Sequence, residues 1–399
     1  MSKLQELTQE LCPNGVEYKK MGDMISIYTG TQFNKRDMST EGRYPVINGG
    51  VNPSGYIEEY NEDLDTITIS QGGASAGYVS WQEEKFWAGA HCYVIRPSNV
   101  NLLNRYLYFF LKNQEDYLRQ MQHGAGIPAL SRKKVQALEI PIPPLEVQEE
   151  IVKILDRFAE YAAELQAELQ ARQEQYEFYR DKLLSFNNIN KGGGGHASVT
   201  WMKMSEIGRF IRGNGLQKKD FTESGVPCIH YGQIYTHYGT FASKTKSFVN
   251  EDTAKRCKKA HSGDLIFATV SENIEDVCKC VAWLGDDEIC ISGDSLAFYH
   301  NQNPKYLAYY FQTTVFADYK RTRVTGTKVI RLHQSKLEQF VIPIPSLAEQ
   351  QHIVDILNRF ETLTNDLAQG LPAEINAVHE QYKYYRNRLL SFPRNKLSA

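Results

Sequence analysis

The sequence predicts an α+β protein in which two mixed α/β domains alternate with two long antiparallel coiled-coil helices, related by an internal pseudo-two-fold repeat. Two observations lead to this prediction. A stretch with a long heptad pattern occurs twice in the 399 residues. Each copy follows a region where short strand-like runs, Gly-rich turns and helical periodicity alternate. The predicted order is therefore globular domain, long helix, globular domain, long helix.

The repeat is clearest in two segments. Residues 140–158, IPIPPLEVQEEIVKILDRF, return at 342–360 as IPIPSLAEQQHIVDILNRF. Residues 174–186, EQYEFYRDKLLSF, return at 380–392 as EQYKYYRNRLLSF. The globular regions repeat faintly: Gly30 and Gly213 follow similar patterns, and PVINGG at 45–50 echoes PCIHYG at 227–232. Shared scaffold positions with different loops indicate one fold used twice, for different targets.

The long helices are predicted from apolar residues spaced alternately four and three apart, which is the period of a coiled coil. The first series runs from Ile151 to Leu183 and only Arg172 interrupts it. The second runs from Ile353 to Leu389 with one extra step of four residues, which has the form of a stutter. Because this step coincides with Gly370-Leu-Pro372, we expect a kink or break there.

The starts of both helices are also predicted. The Ile-Pro-Ile-Pro segments must be extended, because a residue before proline is excluded from the helical region. Ser346-Leu-Ala-Glu349 has the form of a capping box. Within the globular regions, strands are predicted at 66–69, 92–95, 264–268 and 296–299, and helices at 103–120 and 305–320.

These patterns divide the chain into consecutive segments. The Gly-rich run that follows the first helix is expected to be a flexible linker. The predicted segments are a first domain at 1–139, a helical spacer at 140–186, the linker at 187–199, a second domain at 200–341, a second helical spacer at 342–392 and a tail at 393–399.

Charge and cysteine usage narrow the class of protein. The net charge is −2, but residues 187–341 carry 20 Lys and Arg against 15 Asp and Glu, whereas residues 140–186 carry 5 against 10. The second domain is therefore basic.

No apolar run approaches the ~20 residues that span a bilayer, the first residues lack a signal-peptide layout, and the seven cysteines are scattered. We expect a cytoplasmic protein.

Cys278-Lys-Cys280 is the closest cysteine pair, and strand periodicity predicts both thiols on one face of a strand. Cys257, His261 and Cys290 follow or precede it at short distances in sequence. A zinc site usually has two residues between paired cysteines. Buried apolar cysteines are therefore favoured over a metal site, and no metal is expected on this chain.

Polar loops that contain glycine are the candidate DNA contacts, since Gln, Asn, Arg, Lys and His suit base edges and phosphates. The segments are 31–36, 71–73, 123–126, 214–219, 233–237, 271–273 and 325–328, with basic runs at 132–134, 255–259 and 320–323. Any single residue in them could equally be an ordinary solvated one. The candidates are Gln32, Lys35, Arg36, Gln71, His123, Arg132, Lys133, Lys134, Lys218, Lys219, Gln233, His237, Asn273, Arg321, Arg323, Thr327 and Lys328.

The helices predict a spacer between the two domains. A helix of ~40 residues is ~60 Å long, and two of them packed antiparallel would hold a domain at each end. Such domains could contact two segments of one duplex, because DNA repeats every ~34–36 Å. The apolar rows of the two helices are expected to pack against each other within the chain. The outer faces of the helices could also bind partners. The partner-binding candidates are Arg157, Tyr176, Arg180, Arg359, Tyr382 and Arg386.

The duplicated IPIP…Q…IV…IL…RF and QY…YR…LLSF segments resemble the two conserved regions of type I restriction–modification specificity subunits. The helix break expected at Gly370-Leu-Pro-Ala-Glu-Ile375 also resembles a feature of that family. The resemblance covers the whole chain, strongly in the helices and weakly in the two globular regions, which correspond to target-recognition domains. It implies recognition of a bipartite, asymmetric DNA site by a subunit that is not itself an enzyme.

The resemblance also implies partners. One such subunit joins two modification subunits to make an adenine methyltransferase, and restriction subunits add ATP-driven translocation and cleavage. S-adenosylmethionine, ATP and Mg are then expected on the partner subunits and no cofactor on this chain. The sequence has no phosphate loop of the G-x-x-x-x-G-K-[ST] type and no Asp/Asn-Pro-Pro-aromatic motif. Two alternatives stay open: a two-domain DNA-processing enzyme that acts alone, and a coiled-coil scaffold that binds proteins.

Overall fold

A computed structural model describes residues 3–122, 128–186, 199–365 and 370–395. Residues 3–122 and 128–142 form helices and short strands. The helices are α1 (Lys3–Leu11), α2 (Met21–Met24), α3 (Asn104–Asn113), α4 (Glu115–Gln120) and α5 (Arg132–Gln136). The strands are β1 (Glu17–Lys20), β2 (Ile25–Thr29), β3 (Tyr44–Ile47), β4 (Tyr56–Ile57), β5 (Thr66–Ser70), β6 (Val79–Gln82), β7 (Trp87–Ala88), β8 (Cys92–Pro97) and β9 (Glu139–Ile142).

The long helix α6 (Leu145–Ser185) follows, and the pattern of the first region then returns. The strands are β10 (Thr200–Lys203), β11 (Gly208–Arg212), β12 (Phe221–Thr222), β13 (Val226–Ile229), β14 (Phe241–Ala242), β15 (Ser247–Val249), β16 (Lys259–Ala260), β17 (Leu265–Ala268), β18 (Val270–Ser271), β19 (Cys280–Trp283), β20 (Ile289–Ile291), β21 (Ser295–His300), β22 (Ile330–Arg331) and β23 (Val341–Ile344). The helices are α7 (Met204–Ile207), α8 (Tyr231–Thr236), α9 (Glu251–Arg256), α10 (Pro304–Tyr310), α11 (Thr314–Arg321), α12 (Gln334–Glu338), α13 (Leu347–Asn365) and α14 (Leu371–Leu389).

The two repeats have matching sheets, which confirms the mixed α/β prediction. The first has a four-stranded sheet in the order β2-β8-β5-β6 and a second sheet in the order β4-β3-β7. The second repeats these as β11-β21-β17-β19-β14 and β12-β15-β13-β20-β16. In each repeat the strand that carries the faint PVI or PCI echo lies parallel to its neighbour, β3 beside β7 and β13 beside β20.

The chain forms two compact units that differ from the consecutive segments expected from the sequence. Unit 1 is Met1–Gln166 with Glu374–Ala399, and unit 2 is Ala167–Ala373. Each unit thus contains one globular region, the first half of its own long helix and the second half of the other repeat's helix. The reason is side-chain packing: the residues that pack together in each unit come from helices of both repeats, which are far apart in chain order.

The aromatic residues of the two conserved segments show this exchange. In unit 1 the ring of Phe158 lies 5.5 Å from Tyr385 and 6.3 Å from Tyr382. In unit 2 Phe360 makes the matching contacts, 6.5 Å from Tyr176 and 6.0 Å from Tyr179. Each phenylalanine therefore packs against tyrosines of the other repeat. Because the residues that meet Phe158 come late in α14 while Glu374, at its start, accepts a hydrogen bond from Tyr161 (2.7 Å), the helices of unit 1 run antiparallel.

Unit 1 joins the two ends of the chain. The backbone N–H of Val16 donates to the carbonyl of Pro393 (2.9 Å), and the Tyr18 hydroxyl donates to the carbonyl of Phe392 (2.8 Å). Arg394 pairs with Glu139 on β9. These contacts attach the segment after α14 to the β1–β9 ribbon, so the core of unit 1 includes Leu390 beside Ile151 and Leu155.

The glutamine of the IPIP…Q motif fixes the start of each long helix. The fully buried Gln148 side chain donates to the carbonyls of Asn101 and Pro143 (both 2.8 Å) and accepts from the N–H of Leu103 (3.0 Å). Gln350, also fully buried, repeats this with Pro345 (2.9 Å) and the N–H of Asn303 (2.9 Å). Each glutamine thus satisfies buried backbone groups that no helix or sheet partner reaches.

The Ile-Pro-Ile-Pro segments form β9 and β23, as predicted, and Ser346 Oγ accepts from the N–H of Glu349 (3.3 Å), which is one half of the predicted capping box. Gly370 is non-helical and α14 begins at Leu371, so the predicted break is present. Pro372 therefore lies in the first helical turn, where its missing N–H costs nothing.

Two expectations for the globular regions were wrong in detail. The helices predicted at 103–120 and 305–320 are each two helices, with interruptions at Gln114 and at 311–313. In the first case Glu115 turns to accept from the N–H of Val79 (3.0 Å). Cys278 does not share a strand face with Cys280, because β19 begins at Cys280 and Cys278 has a left-handed backbone (φ 60°).

The linker predicted at 187–199 lies outside the described residues except for residue 199, and the tail at 393–399 does so after residue 395. Among the helices in the described ranges, none combines the length and apolar character that crossing a bilayer requires.

We predict that Gln148→Ala destabilises the protein by about 2 kcal/mol, because it leaves the buried carbonyl of Pro143 and the partly buried N–H of Leu103 without partners. Urea unfolding of the full chain, followed by circular dichroism, measures this difference. Gln166→Ala is the control, since Gln166 lies exposed on the same helix. Equal stability of the two variants would show that the Gln148 hydrogen bonds do not hold the helix start.

Candidate nucleic-acid interface

Five loop segments meet at one end of the sheets in unit 1. Three of them are joined by backbone hydrogen bonds to the fourth, the short turn 89–91, or to the residues that flank it, and the fifth is joined through Gln71. Gly89 N donates to Ile47 O (2.8 Å), Gln71 N donates to His91 O (2.9 Å), and Thr31 N donates to Ala88 O (2.8 Å). Leu130 N donates in turn to Gln71 O (2.8 Å). We call this surface loop face 1; it comprises residues 29–36, 48–50, 71–73, 89–91 and 128–130.

Unit 2 repeats the arrangement around the turn Ser292-Gly-Asp294. The N–H of Tyr231 donates to Ser292 Oγ (2.9 Å), and the N–H of Thr269 donates to Asp294 O (2.9 Å). The guanidinium of Arg331 pairs with the Asp294 carboxylate (3.0 Å). We call this surface loop face 2; it comprises residues 212–219, 230–233, 269–273, 292–294 and 325–331.

The first loop of each face is 29–36 or 212–219, and we call the turn at 89–91 or 292–294 the central turn of the face. Glycine is required where the first loop passes the central turn. A Cβ on Gly30 would lie 2.0 Å from the carbonyl oxygen of Ala88, and a Cβ on Gly213 would lie 2.2 Å from that of Ser292. Gly30 N donates to Cys92 O (3.1 Å) and Gly213 N to Ser295 O (3.0 Å), so the two glycines occupy equivalent places. The faint glycine echo in the sequence thus reflects one close backbone approach made twice.

Most of the predicted DNA contacts are exposed on or beside these faces. Loop face 1 brings together the segments at 31–36 and 71–73, and loop face 2 those at 214–219, 271–273 and 325–328. His123 lies outside the described residues. Exposed side chains belong to Gln32, Lys35, Arg36, Arg132, Lys133, Lys218, Lys219, His237, Asn273, Arg321, Arg323, Thr327 and Lys328, whereas Gln71 and Lys134 are partly buried.

Several candidates have structural partners. Gln233 is buried, and its side chain donates to Ser247 Oγ (2.8 Å) and accepts from the N–H of His230 (3.0 Å). Its assignment as a base reader is therefore corrected, because the amide is already used inside unit 2. Lys320 is also buried, donating to the carbonyls of Glu275 (2.6 Å) and Val277 (3.0 Å), so it adds no surface charge.

Other candidates, exposed or partly buried, are engaged locally. Lys134 Nζ donates to the carbonyl of Met121 (2.5 Å). Arg321 pairs with Asp318 (2.8 Å), and the Arg323 guanidinium lies 4.0 Å from the centre of the Tyr319 ring. Asn273 donates to Asp276 (2.8 Å). Exposed contacts of this kind stabilise little and can exchange for phosphate.

His230 belongs to loop face 2, and its side chain is neutral. Burial lowers its pKa, and the nearby positive charge of Lys218 lowers it further. Its Nδ1 accepts from the N–H of Gly232 (3.2 Å) and so begins α8. The ring therefore positions the loop 230–233 and contributes no charge to the face at neutral pH.

The partner-binding candidates divide in the same way. Arg157 and Arg359 are exposed at equivalent places on α6 and α13. Tyr176 and Arg180 are buried in unit 2, where Arg180 pairs with Asp181 (2.8 Å); these two are corrected to packing residues. Tyr382 and Arg386 are partly buried in unit 1, and Arg386 donates to Asn113 (3.0 Å).

The cysteines have the environment of core residues. All but Cys280 are buried, and burial raises the pKa of Cys278 to about 12. No group of three or more His, Cys, Asp or Glu side chains that could hold a metal ion occurs in the described part of the chain.

Sequence reasoning missed the central turns 89–91 and 292–294, together with Arg212, Asp294 and Arg331. The signal available was a glycine shortly before an apolar strand in both repeats, at Gly89 and Gly293. It could mark the turn, but it could not show that loops from distant parts of the repeat meet around it.

Comparison with known proteins decides the family. The model of the type I restriction modification DNA specificity domain matches residues 13–175 and again 198–377, once for each repeat. The chain belongs to the type I restriction–modification DNA specificity family. Its function is DNA sequence recognition, and loop faces 1 and 2 are the candidate surfaces for it.

This specificity subunit is similar over its whole length to known relatives. It is 29% identical over 420 residues to the specificity subunit of the type I restriction enzyme EcoR124I/EcoR124II of Escherichia coli, covering 99% of this chain and 98% of that one. Its fold is similar to the S subunit of a type I system from M. genitalium, with a TM-score of 0.55, 17% identity and coverage of 94% and 96%. A chain from a structural study of type I complex assembly and conformational transition matches with a TM-score of 0.59, 15% identity and coverage of 95% and 98%.

We predict that Gly213→Ala weakens DNA binding by the specificity subunit in its assembled complex at least tenfold, because the new Cβ must push the first loop away from Ser292. Fluorescence anisotropy with a duplex carrying the cognate site measures this. Gly239→Ala is the control, since a Cβ there meets no atom within 4 Å. A similar affinity for both variants would exclude the close approach at Gly213 as a determinant of loop face 2.

Proposed function

We propose that this specificity subunit reads a bipartite, asymmetric DNA site, with loop face 1 contacting one half and loop face 2 the other. The observation that carries the proposal is the pair of loop faces, which share one backbone arrangement and carry different side chains. At equivalent positions before β8 and β21 the turns contain Gly89-Ala-His91 and Ser292-Gly-Asp294. Base-edge readout depends on which donors and acceptors a loop presents, so different side chains imply different half-sites.

Basic residues at the edge of loop face 2 supply a phosphate grip in this proposal. Lys218 and Lys219 are exposed on the first loop. The N–H of Lys258 donates to Asn214 Oδ1 (2.8 Å), which attaches the basic run 255–259 to the same loop. Phosphate contacts fix the register of a protein on DNA but carry no sequence information. They therefore complement the side chains at the centre of the face.

The helices are proposed to hold the other subunits of the complex. Arg157 and Arg359 are exposed at equivalent positions of the two conserved segments. Two such positions in one chain suit two copies of one partner, and we propose that the partners are two modification subunits, with restriction subunits added to them. The E. coli relative is named as part of a type I restriction enzyme, which supports assembly with these partners.

The proposal assigns no catalytic step to this chain. Methyl transfer from S-adenosylmethionine and ATP- and Mg-dependent translocation and cleavage are assigned to the modification and restriction subunits. Their substrate is chromosomal or invading DNA, so we propose that the subunit works in the cytoplasm. Its own contribution is to place a partner's active site at a chosen adenine.

The proposal is tested by mapping methylated adenines genome-wide in cells that produce this chain with its modification subunit. We expect one motif with two defined halves and an unread spacer. Replacing residues 200–341 by the matching region of a relative should change one half and leave the other intact. Methylation at continuous sites, or a change of both halves after the exchange, would contradict the two-face assignment.

We also predict that Lys218→Ala, Lys219→Ala and Lys258→Ala together flatten the salt dependence of binding. Each lost phosphate contact reduces the slope of log Kd against log salt by about 0.9, so the triple variant should lose roughly 2–3. Affinity should fall to a similar extent for cognate and unrelated duplexes. Lys336→Ala, on α12 outside loop face 2, is the control; an unchanged slope in the triple variant would contradict the phosphate role.

A further inference from the structure

Arg212, Asp294 and Arg331 form a charged cluster at the centre of loop face 2. One carboxylate oxygen of Asp294 lies 3.0 Å from Arg331 and 3.8 Å from Arg212. Arg212 Nε also donates to the carbonyl of Gly293 (3.1 Å). The side chains are 62%, 34% and 32% exposed for Arg212, Asp294 and Arg331, so the cluster is held in place yet open to solvent.

We propose that this cluster reads a G·C base pair in the second half-site and is a main determinant of its sequence. The inference rests on the DNA-recognition function proposed above. It names three residues and a base pair for one of the two loop faces.

The hydrogen-bonding capacity of the cluster matches that base pair. A guanidinium has five N–H donors, and the contacts named above occupy only some of them on each arginine. Two adjacent donors match the N7 and O6 acceptors of guanine in the major groove. The Asp294 carboxylate, acceptor only, matches the N4 amino group of cytosine. Donors and an acceptor side by side are thus complementary to both bases of one pair.

The carboxylate distinguishes a base contact from a phosphate contact. An exposed Asp294 beside a phosphate would place two negative charges together, whereas a neutral base edge carries no such penalty. Asp294 also limits the movement of Arg331, so less side-chain entropy is lost when Arg331 binds. Lys218 and Lys219 form no ion pair with any carboxylate in the described part of the chain, and they suit the phosphates instead.

The first repeat shows that the cluster is not part of the shared scaffold. Thr29 pairs with Tyr93 as Arg212 pairs with Leu296, so Thr29 is equivalent to Arg212. His91 and Asp294 both end the central turn, and their carbonyls accept equivalent backbone hydrogen bonds, from Gln71 N in the first repeat and from Thr269 N in the second. The bridges Gly72–Ala129 and Val270–Arg331 make Ala129 equivalent to Arg331. Thr29, His91 and Ala129 thus replace the cluster on the same backbone, as expected of residues that set specificity.

The test is selection of bound sequences from a duplex library in which both half-sites are randomised, using the specificity subunit assembled with its modification subunits. The variants are Arg331→Ala, Arg331→Lys, Arg212→Ala and Asp294→Asn. Arg209→Ala is the control, because Arg209 is an exposed arginine of the same strand that lies over the Tyr299 ring (5.3 Å) outside the loop face.

We expect the wild-type complex to require a G·C pair at one position of the second half-site that Arg331→Ala no longer requires. Affinity for the cognate site should fall roughly 10- to 100-fold, with the first half-site unchanged. Arg331→Lys should lose the same preference, since an ammonium lacks the planar fork of donors. This variant keeps the charge and thereby separates base reading from simple electrostatics.

Two results would overturn the inference. Equal weakening of all sequences, with every base preference kept, would make the cluster a phosphate contact. Loss of preference at an A·T position would contradict the guanine assignment. Thermal melting of each variant confirms that it is folded. If the wild-type complex itself selected no two-part sequence, the proposed function would fail as well, so the two failures are distinguishable.

Discussion

The buried glutamine at the start of each long helix is the constraint on which the rest of the structure depends. Gln148 and Gln350 each hold the chain at the point where an extended Pro-containing strand becomes a helix. Their amides bind backbone groups of the globular region and the carbonyl of a proline that follows the preceding strand. A side chain with both a donor and an acceptor is needed there, because carbonyls and an N–H converge on one buried place. The start of the helix is thereby fixed relative to the sheets of its own globular region.

The second constraint is the close passage of Gly30 and Gly213 past the central turns. It brings loops from distant parts of each repeat into a single surface while leaving their side chains free to vary. This separates stability from specificity. Many of the bonds that hold a loop face together are made by backbone atoms, so the exposed side chains can differ between the two faces without loss of the shared arrangement.

The exchange of helix halves between the repeats has a physical consequence. Phe158 and Phe360 belong to the same duplicated motif, yet each packs with tyrosines of the other copy. Tyr176 and Arg180 are therefore buried in unit 2 although they follow the first globular region in the chain. Substitution in segment 174–186 or 380–392 should therefore disturb the unit that contains the other repeat's globular region, a relation that chain order does not suggest.

The sequence by itself determined the duplication, the alternation of globular regions with long helices, the break at Gly370 and the resemblance to the family, because periodicity, proline and glycine act locally and the motifs occur twice. It also located most of the loops. Only the tertiary structure decided which candidates are available. Gln233, Lys320 and Arg180 have polar side chains that could contact DNA or a partner from the surface, but their burial and hydrogen bonds place them in the core. The charged cluster of Arg212, Asp294 and Arg331 joins three segments far apart in the chain, and no local pattern encodes such a meeting. The sequence shows the loop faces only as separate polar segments. The folded backbone defines them as surfaces, because hydrogen bonds between distant loops decide which side chains lie together.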